Sequence, residues 1–351
     1  MRISMLLAVL SAFLFGSATP ISKLLLDSIN PFQLAGLLYL GAGLALVPIV
    51  ARRGFPAKLH FLDRKNRLYV IGSITCGGIG GPVFLLFGLQ AAKSASVSLW
   101  LNLELVATLC FGHLFFKDRM TRSSALTALG IACASVLLSF DGGVASVAGG
   151  LFVAAACLAW GIDNNLTSLI DGLKPQESTF VKGTISGATN LIVGLLVFPT
   201  MHLAIPSVGA ALLVGALSYG LSIVLFISTA QGLGASRAQL FFASSPLFGL
   251  FLAILILGES ISTLQLIAIA LMAVSYPLLP TERHAHAHSH PAIIHTHWHK
   301  HNDMHHMHEH VRLSLWEIIF GHSHEHSHEP LAHDHVHVPD IHHRHTHGSA
   351  A

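Results

Sequence analysis

Residues 147–170 read VAGGLFVAAACLAWGIDNNLTSLI. Sixteen apolar or small residues run from Val147 to Ile162, and then Asp163, Asn164, Asn165 and Thr167 arrive within one and a half helical turns. A bilayer core of about 30 Å needs about 20 predominantly apolar residues in a helix. The stretch is long enough to cross, yet it holds a polar cluster at membrane depth. A group such as Asp163 costs at least about 2.5 kcal/mol there even on lenient insertion scales, so it must face protein or a water-filled cavity. This one segment therefore predicts a helix that spans a membrane and lines something.

The rest of the chain agrees. Of 351 residues, 52% are hydrophobic and 10% are charged, against roughly a quarter charged in ordinary soluble domains. The spacing predicts ten spans, at Ile3–Leu26, Phe32–Val50, Leu68–Leu89, Ala95–Phe116, Ser123–Phe140, Val147–Ile170, Thr179–Pro199, Ser207–Ala230, Ala235–Leu257 and Thr263–Leu279. Helices are expected because a lipid-exposed backbone must satisfy its hydrogen bonds within the segment, and a barrel would show short alternating strands. The first span is too long and too polar after Gly16 for a cleaved signal peptide. The four cysteines, Cys76, Cys110, Cys133 and Cys157, lie in apolar runs without CxxC spacing and read as packing residues. The glycine pairs Gly77/Gly81 and Gly183/Gly187 are GxxxG elements that allow close helix approach.

Orientation follows from basic residues in short loops. Arg52, Arg53, Lys58, Arg64, Lys65 and Arg67 follow span two, and Lys117, Arg119 and Arg122 follow span four, whereas Asp27–Pro31, Asp141–Gly143, Thr200–Pro206 and Gly258–Ser260 carry no lysine or arginine. Both termini are expected in the cytoplasm. Lys23, Lys182 and Arg237 lie towards predicted span ends, where the default is that they snorkel to headgroups.

The body repeats itself. Phe15-Gly16 matches Trp160-Gly161, and each is followed by a polar stretch and a proline, Pro31 or Pro175, that opens the next span. The run from Gln90 through Ser96 to Lys117-Asp118 likewise matches the run from Gln231 to Gly258-Glu259. Five spans per unit is an odd number, so the copies, residues 1–140 and 147–280, are expected upside down relative to each other, as in many secondary transporters.

These residues resemble the EamA-type, ten-helix branch of the drug/metabolite transporter superfamily. The resemblance is carried over residues 1–280 by Phe15, Gly16, Pro20 and Lys23, by Asn102-Leu103-Glu104, by Trp160–Thr167, and by Pro246 with Leu257-Gly258-Glu259. It implies an all-α integral membrane fold of two inverted five-helix repeats that moves small organic solutes outward, driven by an ion gradient. Relatives often carry proline after the helix-four glutamate; here that residue is Leu105, whereas Pro246 fills the equivalent place in the second repeat. A helix break is therefore expected in the second half alone.

The candidate substrate or coupling-ion residues are Glu104, Asp163, Asn164, Asn165, Asn102 and Thr19, and the helix-break candidates are Pro20 and Pro246. Glu104 is the first choice for a proton- or cation-binding carboxylate, against a purely structural glutamate. The asparagines serve equally well as cavity lining or as interhelical hydrogen-bonding groups.

After Pro280 the composition changes: 23 of the 26 histidines fall in residues 281–351. His284, His286, His288, His290, His295, His297, His299, His301, His322, His324, His326, His328, His333, His335, His337, His342, His343, His345 and His347 form His-x-His and His-His sets. Imidazole suits nickel, zinc, cobalt and copper, so this mostly disordered cytoplasmic tail is expected to bind divalent metal without specificity. No cofactor is expected for transport itself, and no Gly-x-x-x-x-Gly-Lys-Ser/Thr loop for nucleotide occurs. The expected partners are a small-molecule substrate and the lipid bilayer, with a homodimer open and nucleic acid excluded. Competing readings are a divalent-metal exporter fed by the tail and a membrane-anchored metal sensor or buffer. None is an enzyme, and a bacterial-type inner membrane is the expected location.

Overall fold

The structure is a computed structural model that describes residues 2–51, 62–116, 120–170, 173–198, 204–233, 241–278, 284–290, 293–299, 322–328 and 331–337. Arg52, Arg53, Lys58, Lys117, Arg119, Arg237, His301, His342, His343, His345 and His347 lie outside the described residues.

Among the described residues, the regular elements of the body are all helices. Helix α1 is Arg2–Leu25 and α2 is Pro31–Ala51; α3 runs from Arg64 to Ala91 with a π-helical segment at Ile74–Gly80. Span four is two pieces, α4a at Ser94–Trp100 and α4b at Leu103–Phe116. Then come α5 (Arg122–Leu138), α6 (Gly143–Ser168) and α7 (Pro175–Val197). Helix α8 consists of Ile205–Val214, a π segment at Gly215–Leu221 and Ser222–Leu233, and it is followed by α9 (Ser245–Leu257) and α10 (Thr263–Ser275). Among the described residues, seven helices are long and apolar enough to cross a membrane, and three shorter apolar ones, Arg122–Leu138, Ser245–Leu257 and Thr263–Ser275, stand where the hydropathy pattern predicts spans five, nine and ten. Leu114, Leu151, Leu196 and Val274 are among the many large apolar side chains left exposed on this surface, which suits a lipid solvent and would be a liability in water.

The two halves are interlaced. Helix α1 packs on α8 and α9, and its counterpart α6 packs on α3 and α4b; α2 packs on α7, and α5 on α10. Glycine makes the first of these exchanges possible. A Cβ on Gly16 would lie 2.2 Å from Ser245 O of α9, and one on Gly161 would lie 2.7 Å from Ala107 Cβ of α4b. The repeated aromatic-glycine pair thus marks two equivalent close contacts. On α2 and α7, Gly43 and Gly183 approach in the same way, a Cβ on Gly183 reaching Gly43 N at 2.8 Å.

Two expectations change. Helix α1 continues through Pro20: proline forfeits a single N–H bond, and the carbonyl its ring would crowd belongs to Gly16, four residues earlier. Pro20 is therefore not a break. Pro246 does sit at a break, in the first turn of α9 just after a turn at Ala243–Ser244. Yet span four is broken as well, at Leu101–Asn102, without proline. There the chain closes short turns, Asn102 N to Leu99 O at 3.2 Å and Glu104 N to Leu101 O at 3.1 Å, and the Asn102 side chain donates to Leu99 O at 2.8 Å. A side-chain amide competing for backbone carbonyls replaces proline as the interrupting device.

The tail is not uniformly irregular. Strands β1 (His284–His290) and β4 (Leu331–His337) pair antiparallel, as do β2 (Ile293–His299) and β3 (His322–His328). In these stretches, the described part of the tail, histidine alternates with other residues at the period of a strand.

Candidate functional site

The polar cluster of α6 meets α3, α7 and α4b. Asp163 is buried. Its Oδ1 accepts from Lys182 Nζ at 2.6 Å, Thr167 Oγ1 at 2.9 Å and Ser73 Oγ at 2.5 Å, and its Oδ2 accepts from Lys182 Nζ at 2.7 Å. The ion pair is mostly enclosed, with side-chain exposures of 17% for Lys182 and 9% for Asp163. Lys182 therefore does not snorkel. The hydropathy pattern starts span seven at Thr179, whereas α7 begins at Pro175, which carries Lys182 two turns into the helix.

The π segment of α3 makes room for this pair. A Cβ on Gly77 would stand 1.9 Å from Asp163 Oδ2, and one on Gly78 would stand 1.9 Å from Ser186 Oγ and 3.1 Å from Lys182 Cγ. A π-helical turn disturbs the regular i to i−4 ladder, and the carbonyl of Gly77 is taken up by two side chains instead. Tyr39 Oη on α2 donates to it at 2.7 Å and Trp160 Nε1 on α6 at 2.9 Å. Three helices are tied at one glycine.

The remaining candidates divide. Glu104 Oε1 accepts from Asn164 Nδ2 at 2.8 Å, and the same amide donates to Thr108 Oγ1 at 3.1 Å. Glu104 and Asn164 are thus joined across α4b and α6, one residue along from Asp163. Asn165 is buried and spends its amide on backbone, donating to Gly161 O at 2.8 Å and Thr108 O at 3.1 Å, which is the helix-tying role. Asn102 lies at the break in span four, donating to Met272 Sδ at 3.3 Å and accepting from Tyr276 Oη. Thr19 is buried on α1, a helix that packs chiefly on α8 and α9. Sequence reasoning missed Ser73, Tyr39, Thr108 and the pairing of Lys182. Lys182 would have carried a signal only with the true start of α7, since a lysine two turns inside a span needs an anion.

This arrangement holds an enclosed ion pair inside a bundle of helices whose outer surface is largely apolar. Comparison with known proteins names the kind of bundle. The model of the EamA-like transporter family matches twice, over residues 2–140 and 147–279. The chain belongs to the EamA-like transporter family. It is a multi-pass membrane protein, and both the family and the transporter-named relative below point to a transporter rather than an enzyme. A curated protein of Methanothermobacter thermautotrophicus, described as an uncharacterized transporter, is 27% identical over 273 residues, covering 72% of this chain and 78% of its own. A solved crystal structure shares the fold with a TM-score of 0.58 at 19% identity, over 78% of this EamA-like chain and 94% of that one.

Proposed function

We propose that this chain is an ion-coupled secondary transporter that exports small organic molecules across a plasma membrane, and that Asp163–Lys182 with Glu104–Asn164 forms its binding and coupling site. The carrying observation is the enclosed Asp163–Lys182 pair on the glycine-lined π segment. A buried ion pair is weak as a stabilising device, because desolvation offsets much of its Coulomb gain. It suits a site where a proton or a charged substrate group competes for one partner.

The repeat supports function over simple helix packing. The close contacts of Gly16 on α9 and Gly161 on α4b recur in both halves, and so do the π segments of α3 and α8. The charges do not recur. Counting from the matched Phe15-Gly16 and Pro31, the positions equivalent to Asp163 and Lys182 are Ala18 and Leu38, both buried and apolar. A bundle that needed the pair merely to hold together would need it twice.

In this reading the matched units are two inverted five-helix repeats, the ten apolar helices are ten spans, and both termini are cytoplasmic, the basic loops after spans two and four fixing the side. The histidine tail then binds divalent nickel, zinc, cobalt or copper and modulates transport. The recurrent His-x-His spacing of residues 284–301 and 322–347 supports that role.

The test compares metabolites retained by cells with and without the full-length chain, followed by flux of the retained compounds in proteoliposomes under an imposed proton gradient. Differential retention and gradient-dependent flux are expected. Absence of both would sink the proposal. A tail reachable by protease from outside intact cells would overturn the orientation.

A further inference from the structure

The break in span four isolates α4a, seven residues long, between a turn at Leu101–Asn102 and the corner where it meets α3. At that corner α3 ends on free carbonyls and α4a begins on free N–H groups. Lys93 occupies the N-cap of α4a without a side-chain hydrogen bond to it. Both sets are instead satisfied from other helices. Lys23 Nζ of α1 donates to Leu89 O at 2.5 Å and Ala92 O at 3.0 Å. Glu259, just beyond α9, accepts Ser94 N at 2.8 Å through Oε1 and Ala95 N at 2.8 Å through Oε2. A cation sits on a helix C-terminus and an anion on a helix N-terminus, the favourable sense for both dipoles. Lys23 therefore does not snorkel either.

Glu259 is aimed by its neighbour. Gly258 has φ 66°, a left-handed conformation that side chains with a Cβ rarely adopt. The close of α9 is completed by Gly258 N to Ile254 O at 3.1 Å and Glu259 N to Ala253 O at 3.5 Å. A Cβ on Gly258 would meet nothing within 4 Å, so glycine is required there for conformation and not for space.

The segment so held is unusual for a buried one. All seven residues of α4a are buried, three of them serines. Ser94 Oγ and Ser98 Oγ have no hydrogen-bond partner, while Ser96 Oγ accepts from Gln265 Nε2 of α10 at 3.0 Å. Unsatisfied buried hydroxyls are costly, and they lose that cost wherever water reaches them.

We propose that α4a is a lid over the transport pathway at this end of the bundle, hinged at Leu101–Asn102 and latched by Glu259 and Lys23. When the latch releases, α4a swings on its hinge and its serines become hydrated. The lid rests on the transporter reading above, but its test reads conformation and needs no substrate.

The experiment uses full-length protein in liposomes with Cys76, Cys110, Cys133 and Cys157 replaced by alanine and one reporter, Ser98→Cys, exposed to a membrane-impermeant maleimide. Ser94→Cys serves as a second reporter if the first does not fold. Glu259→Gln keeps the shape but removes the charge and one of two acceptors. Charge-assisted hydrogen bonds have the strength for labelling to rise about tenfold in Glu259→Gln, with Lys23→Met and Gly258→Ala moving the same way. Labelling at Ile131→Cys, buried on α5, should stay unchanged. An unchanged rate at the α4a reporters overturns the lid. An equal rise at Ile131→Cys also overturns it, because that marks general loosening of the bundle.

Discussion

Lys182 Nζ lies 2.6 Å from Asp163 Oδ1 and 2.7 Å from Oδ2, a two-oxygen contact between α7 and α6 with Ser73 and Thr167 on the same carboxylate. Four hydrogen bonds converge on one carboxylate. Its removal therefore has consequences beyond the loss of one bond.

Asp163→Asn and Lys182→Met should each leave an unpaired group in the bundle, and breaking an enclosed pair in this way costs about 3 kcal/mol or more. The double variant removes both charges and should recover most of that stability. Transport should be lost in all three. Thermal unfolding in detergent and flux in liposomes check this together; a double variant that transports normally would leave the pair with a packing role only.

Gly77→Ala should disable the site through geometry alone, because the new Cβ would stand 1.9 Å from Asp163 Oδ2. Gly80→Ala is the matched control on the same π segment, where the nearest atom to a Cβ is Thr75 O at 3.6 Å. Flux should be lost in the first and kept in the second, at similar amounts of inserted protein. Equal flux in both would mean that the carboxylate is free to move aside.

Glu104→Gln should keep the contact with Asn164 and abolish gradient-driven transport, since shape and hydrogen-bonding capacity persist while the charge goes. The check is substrate-dependent proton movement in liposomes. Coupling at the wild-type level in a well-expressed variant would reduce Glu104 to a structural partner of Asn164.

Deletion after Pro280 should leave an inserted, transporting protein that no longer responds to nickel or zinc, because a polar terminal tract contributes little to helix packing in a membrane. Imidazole binds metal only when unprotonated. The intact chain should therefore hold nickel near pH 7.5 and release most of it near pH 5, as equilibrium dialysis would read. Loss of membrane insertion on truncation would refute the division into body and tail.

The sequence alone determined the membrane class and the family resemblance, because hydrophobic length and the recurrence of Phe15-Gly16 as Trp160-Gly161 are properties of the chain. It also singled out Asp163, Glu104 and Asn164 as candidates, since a polar group within an apolar run stands out without coordinates. What it missed depended on element ends and neighbours. Four residues' difference in the start of α7 separates a snorkelling Lys182 from one paired with Asp163. The break at Leu101–Asn102 has no proline to announce it, because an asparagine side chain takes the carbonyl instead. Glu259 reaches Ser94 and Ala95 across more than 160 residues of chain. Which charge answers which helix end is fixed only when the helices pack, because the unsatisfied groups at a helix terminus accept any partner of the right sign that the fold brings within 3 Å.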